Sequence, residues 1–193
     1  MCHGCPTRFT VVNIYFCPSD PNSPRTTTIP GDPQGFHANY VGCSGSTSFN
    51  PGGAGGDQLN GIFYWKSKVT LQLITDGTSN TLMLSEIIIS QDITGHDVRG
   101  RMYNPARQGS VLFSTLYTPN NRGTPDRLQY CQSIPAAPCT STISEIVLTA
   151  RSHHTGIVCA AFADGSARII SNSINAGVYL GMGTRAGGEV ATE

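Results

Sequence analysis

Apolar and polar positions alternate along the 193 residues in short blocks that mark β elements rather than helices. Residues 10–16 (T-V-V-N-I-Y-F) read as a strand, closed by Cys17-Pro18-Ser19-Asp20-Pro21, where two prolines impose extended or turn geometry. Residues 36–42 (F-H-A-N-Y-V-G) make a short apolar piece, and residues 61–65 (G-I-F-Y-W) predict another strand. Residues 69–74 (V-T-L-Q-L-I) fit either a helical turn or a strand. Residues 82–89 (L-M-L-S-E-I-I-I) read as a largely buried strand, inside which Glu86 needs a partner or a solvent-facing side. Apolar pieces at 111–116 and 143–148 are further strand candidates. The clearest signal lies at 150–171, where apolar runs at 156–163 and 167–170 are joined by Asp164-Gly165. Two such runs across Asp-Gly predict a β-hairpin with a type I′ turn, which needs positive φ at both central residues. Residues 173–182 predict a short C-terminal helix capped by Ser171 or Ser173.

Turn formers fill the spaces between these elements. Residues 22–35 are a polar loop, and residues 43–57 are Gly/Ser-rich and read as loop throughout. Asp76-Gly77-Thr78-Ser79-Asn80-Thr81 predicts a tight turn whose side chains bond their own backbone. Residues 91–142 are the least regular stretch; Arg99, Arg101, Arg107, Arg122 and Arg127 stand there among prolines and acids, as in a solvated variable loop region. Residues 1–16 form a divergent N-terminal segment, and residues 1–193 fit a single globular domain. The fold class expected is α+β, mainly β, with an antiparallel sheet, β-hairpins, long Gly/Pro-rich loops and a short C-terminal helix.

Composition narrows the function classes. Acidic and basic residues balance at 12 each, so no electrostatic footprint for nucleic acid exists. No ~20-residue apolar segment occurs, so nothing in these residues is expected to span a membrane. Seven cysteines point to an oxidising, extracytoplasmic compartment. Cys131 and Cys139 flank a Pro-containing loop and are the candidate disulfide. Cys2-His3-Gly4-Cys5 has C-x-x-C spacing but no second pair at matching distance, so it reads as terminus or ordinary disulfide chemistry. Cys159 reads as a small core residue, His37 as a packed or surface histidine, and no Gly-x-Ser-x-Gly elbow is present.

Chemistry-bearing residues cluster around the hairpin. Arg151, Ser152, His153 and His154 precede its first strand, and Asp164 sits in its turn. A metal-dependent enzyme using His153, His154 and Asp164, with Asp76 or Glu86, is one reading. An eight-residue strand at ~3.3 Å per residue separates its ends by roughly 26 Å, which sets His154 and Asp164 at opposite ends. Asp76 and Asp164 also offer oxygen ligands in tight loops, so a structural calcium ion or a carbohydrate-binding surface is a second reading. The simplest role for His154, Asp164, Gly165, Asp76, Gly77, Asn80 and Glu86 is structural, with His154 ordering the start of the strand and Asp164-Gly165 closing its end.

His154 followed by nine residues and Asp164-Gly165 is the spacing of the H-X9-DG prepilin-type processing-associated proteins, a planctomycete-type family (DUF1559) that this chain resembles. Other pieces resemble the family in the same order: Cys17-Pro18-Ser19-Asp20-Pro21, Asn39-Tyr40-Val41-Gly42, Asn60-Gly61-Ile62-Phe63, Ile74 through Thr81 running on to Glu86, and Thr184-Arg185-Ala186-Gly187-Gly188-Glu189. The resemblance implies a pilin-like head domain and a non-enzymatic role as a pilin- or pseudopilin-like subunit of a filament or secretion-type system. Its implied partners are further copies or other pilin-like subunits, with no resident cofactor. Family members usually carry a prepilin leader and a long apolar helix; Arg8-Phe9-Thr10-Val11-Val12 faintly echoes the leader, and the 193 residues read as the β-rich head.

Overall fold

A computed structural model describes residues 6–26, 35–50, 59–91, 95–103 and 110–189. In chain order the regular elements are β1 (Arg25–Thr26), β2 (Phe36–His37), β3 (Tyr40–Gly45), β4 (Leu82–Glu86), β5 (Leu112–Ser114), β6 (Asp126–Leu128), β7 (Cys139–Ser141), β8 (Ile157–Phe162), β9 (Ala167–Ser171) and one helix, α1 (Ala176–Met182). The central sheet has five strands in the order β5-β3-β4-β8-β9, antiparallel except where β3 and β5 run parallel. Two small ribbons, β1-β2 and β6-β7, flank it. The fold is α+β and mainly β.

Strand β8 shows why the sheet forms where it does. Its residues alternate strictly, with Val158, Ala160 and Phe162 buried while Ile157, Cys159 and Ala161 stay half-exposed. Side chains of a strand point to opposite faces in turn, so one face joins the core and the other is left partly open. Val41, Cys43, Leu82, Phe113 and Ile170 complete the inner face, and α1 lays Tyr179 and Met182 over it. A seven-residue helix is too short to persist alone, so this packing holds it. Its N-cap is Asn175, whose Oδ1 accepts from the Gly177 and Val178 N–H groups, rather than Ser171 or Ser173. Cys159 belongs to the open face, not to the core.

The β8–β9 hairpin is present, with its turn built differently from the type I′ expectation. The Gly165 N–H bonds to Phe162 O at 3.0 Å and the Phe162 N–H to Ser166 O at 2.9 Å. Gly165 alone has positive φ, at 86°, while Ala163 and Asp164 do not. That is a three-residue loop in which a type I turn is followed by a left-handed bulge residue. No heavy atom lies within 4 Å of a Cβ built on Gly165, so a substitution there meets backbone strain alone. Gly165→Val is expected to lower stability by about 1–3 kcal/mol, read from the urea midpoint; unchanged stability would rule out the left-handed assignment.

Several expected elements are replaced. The strand expected over 10–16 is a coil with a 3-10 turn at Asn13–Tyr15; Ile14 is 77% exposed, and the segment meets no sheet edge that could satisfy a ladder. Residues 61–65 are not a strand, although the Gly61 and Phe63 N–H groups bond to Ser44 O and Cys43 O of β3. The ambiguous stretch at 69–74 holds a 3-10 turn, Leu71–Leu73. Cys43, Ser44 and Gly45, expected in the Gly-rich loop, extend β3 instead. Of residues 143–148, only Ile146 and Val147 make isolated bridges, to Phe49 and Arg127. The Cys2-x-x-Cys5 pair and the glycines of 51–56 lie outside the described residues.

Candidate functional site

The four residues before β8 each reach a different part of the molecule. Arg151 is buried and grips Asp126, its Nη2 lying 3.0 Å from Oδ1, while its other donors reach Asn121 O and Thr124 O. Ser152 donates its hydroxyl to Ile157 O, its N–H to Asn120 Oδ1, and accepts the His154 N–H. His153 Nε2 stands 3.7 Å from Asp20 Oδ1. His154 Nε2 stands 3.5 Å from Glu86 Oε2 and 3.6 Å from Cys17 Sγ. The loop therefore reaches β6, the 17–22 turn and the end of β4 together.

Opposite this loop, the 17–22 turn is fixed from below. Asn39 accepts the Cys17 N–H at 2.9 Å and the Ser23 hydroxyl at 2.6 Å, and it donates to Asp20 Oδ2 and Ile87 O. Asp20 also accepts the N–H of Ile89 and of Asn22. One asparagine and one aspartate thus tie Cys17-Pro18-Ser19-Asp20 to the strand end that carries Glu86. Glu86 is buried, and its Oε1 accepts the Cys159 N–H at 2.6 Å. The partner required of a carboxylate in this strand is there.

Cys17 Sγ, a Glu86 oxygen and a His154 ring nitrogen lie within 4.8 Å of one another. Burial pushes the Cys17 thiol up, the Ser19 backbone N–H pulls it down, and the neighbouring Glu86 carboxylate raises it further. Burial, followed by Glu86, also raises Cys159. Tyr40 is pushed up to about 12 by burial and then by Cys17, Glu86 and Cys159. A thiol raised in this way is neutral and a poor nucleophile. The thiol and the carboxylate moreover face the same ring nitrogen, whereas a nucleophile–base–acid relay needs the acid on the opposite one. The constellation is not such a relay.

His154 and Asp164 lie at opposite ends of β8, as strand length requires. The Asp164 end gathers the other expected structural residues. The Asp164 N–H bonds to Thr78 O and the Ala163 N–H to Thr81 O, docking the hairpin turn on the 76–81 turn. Within that turn Asn80 Nδ2 donates to Asp76 O, and the Asn80 N–H and the Thr81 N–H and hydroxyl donate to Gly77 O. Gly77 itself has φ 97°. Asp76 holds the C-terminal tail by accepting from the Gly187 and Gly188 N–H groups and the Thr184 hydroxyl. Asp164 accepts from the Ser166 N–H and hydroxyl, which hold its carboxyl below the usual range. Both calcium candidates are thus engaged by donors of this chain, which an incoming cation would have to displace.

The solvated region expected over 91–142 hides a buried charge network. Arg25, Asp97, Arg99, Asp126 and Arg151 have side chains no more than 1% exposed. Arg99 Nη2 meets Asp97 Oδ2 at 2.6 Å, Arg99 Nη1 lies 3.8 Å from Asp126, and Arg101 is also buried. Burial raises Asp97, but Arg99, the Gln132 N–H and Arg25 outweigh it and hold its carboxyl below the ordinary range. His37 is fully buried against Arg99 O, and burial takes it down to about 3. The arginines sit among prolines because the chain wraps them rather than exposing them. Beside this network Cys131 and Cys139 form the expected disulfide, with a Cα–Cα distance of 6.4 Å. Cys17, Cys43 and Cys159 are free thiols.

Cys17, Asp20, Asn39 and Tyr40 were visible in sequence only as pieces of a resemblance, and the structure makes them the floor of the His153–His154 loop. The segments from which the resemblance was drawn condense into two constellations, one at each end of the β4–β8 pair. The chain matches a family model described as a protein of unknown function, DUF1559, over residues 2–177, and it belongs to that family. No curated protein and no solved structure matches it.

Proposed function

We propose that this protein is a non-enzymatic structural subunit, the extracytoplasmic head of a pilin- or pseudopilin-like assembly, and that the open face of its sheet receives an apolar helix of that assembly. The observation carrying this reading is the face itself. Tyr40, Leu84, Cys159, Ala161 and Ala167 line one shallow depression. Ile169, opposite Cys159 in the ladder, is 66% exposed beside it. None of the six is charged, and the small Cys159, Ala161 and Ala167 make a trough between larger neighbours. Four strands, β3, β4, β8 and β9, at ~4.8 Å spacing give a face about 14 Å across, wide enough to seat one helix. A contiguous apolar strip of this kind marks an interaction surface. No helix among the described residues is long and apolar enough to cross a membrane.

Ala161→Arg tests the reading. Ala161 projects from the half-exposed face, so the variant is expected to melt within ~0.5 kcal/mol of wild type. In the native cell it is expected to abolish recovery of the protein in a sheared, immunolabelled surface-filament fraction. A wild-type protein that is monomeric and associated with no filament or secretion complex would end the proposal.

A further inference from the structure

We infer that Cys17, Glu86 and His154 form a binding site for a divalent transition metal of the zinc class. The three side chains come from segments as much as 137 positions apart, yet their ligand atoms converge within 4.8 Å. The individual distances fit coordination around a shared ion. The His154 Nε2–Glu86 Oε2 separation is 3.5 Å and the Nε2–Cys17 Sγ separation 3.6 Å. An ion-paired N–H···O contact would close to about 2.7–2.9 Å. A tetrahedral zinc ion, with bonds of ~2.3 Å to sulfur and ~2.05 Å to nitrogen, holds those atoms about 3.5 Å apart; its nitrogen-to-carboxylate edge is about 3.4 Å. The carboxylate edge is longer than a closed ion-paired hydrogen bond, the sulfur edge is within reach of a sulfur hydrogen bond, and both match the edges of a coordination tetrahedron.

The surroundings fit the same reading. Glu86 spends Oε1 on the Cys159 N–H and leaves Oε2 turned to the histidine, as a ligating carboxylate with one fixed oxygen does. The Cys17 backbone is pinned by Asn39, which fixes the thiol beside the carboxylate and the imidazole. Thiol and carboxylate both stand beside Nε2 of the ring, which leaves the three ligand atoms grouped on one side of the imidazole. One sulfur, one imidazole and one carboxylate form a mixed donor set of the kind zinc accepts, with a fourth position left to water. Metal binding replaces the thiol proton, giving Cys17 as thiolate, and releases that proton to solvent. The ion would lock the 17–22 turn and the 151–154 loop to β4. This inference is independent of the proposed assembly role.

The test uses the full chain, stripped with a chelator and titrated with zinc and with cobalt against a chromophoric competitor. About one equivalent is expected to bind, and the cobalt form is expected to show a thiolate-to-cobalt charge-transfer band. Cys17→Ser should remove that band, and His154→Gln, at a partly exposed position, should weaken zinc binding more than ~100-fold while the apo protein melts as wild type. Cys2→Ser and Cys5→Ser should leave both signals intact. Failure of the wild-type chain to bind either metal overturns the inference. So does binding that survives in Cys17→Ser and His154→Gln but is lost when Cys2 and Cys5 are replaced.

Discussion

Asp126→Ala is expected to lower the unfolding free energy by about 3–5 kcal/mol, a large fraction of the roughly 5–15 kcal/mol that holds a domain folded. Asp126 is fully buried and stands between two guanidinium groups, Arg151 at 3.0 Å and Arg99 at 3.8 Å; it also accepts the Thr149 N–H. Removing it strips one anion from a network of three buried arginines and two buried aspartates. Arg151 keeps Asn121 O and Thr124 O as acceptors but loses its counter-charge. The cost arises from an uncompensated cation in the interior, not from lost contact area. Asp126→Asn separates the two effects, since it preserves shape and one acceptor while still losing the charge. It is expected to fall between wild type and Asp126→Ala. Urea denaturation of the three proteins checks the order; an Asp126→Ala loss under ~1 kcal/mol would show the network to be dispensable.

This network also shows where sequence reasoning stops. Strands β4, β8 and β9 and the hairpin were legible because their signals are local, namely alternation and an Asp-Gly turn. The requirement that Glu86 find a partner was legible too, because a lone carboxylate cannot sit inside an apolar strand. The partners themselves were not. Cys17 and His154 approach Glu86 from far along the chain, and no periodicity records that. Arg99 and Arg101 read as solvated because prolines and mixed charges usually mean loops, yet the same prolines let irregular chain fold around buried guanidinium groups. Residues 10–16 and 61–65 have strand composition but join no ladder among the described strands, so propensity lost to tertiary context. Gly165 takes the left-handed conformation expected of it, but the loop has three residues rather than two and one left-handed position rather than two.

Gly61→Ala carries the second large expectation, a loss of about 3 kcal/mol or more, and it rests on a close backbone approach to β3. A Cβ at Gly61 would stand 2.3 Å from Gly45 N and 2.4 Å from Ser44 C, both backbone atoms of β3 that cannot swing aside. Gly61 keeps its φ out of the left-handed region, so contact rather than strain excludes a side chain. The approach is needed because the Gly61 N–H bonds to Ser44 O while Asn60 Oδ1 accepts the Ser46 N–H and Asn60 Nδ2 donates to Ser46 Oγ. Two residues on, Phe63 lies over Gly42, where a Cβ would come within 2.7 Å of its ring. Arg185 then clamps the outside by donating to Leu59 O and Gly61 O. Alanine at 61 would lift this segment off β3 and break the clamp that connects it to the C-terminal tail. Faster hydrogen exchange at the Gly61 and Phe63 amides, with a lower urea midpoint, is the expected signature; wild-type exchange and stability would mean that the segment does not rest on β3.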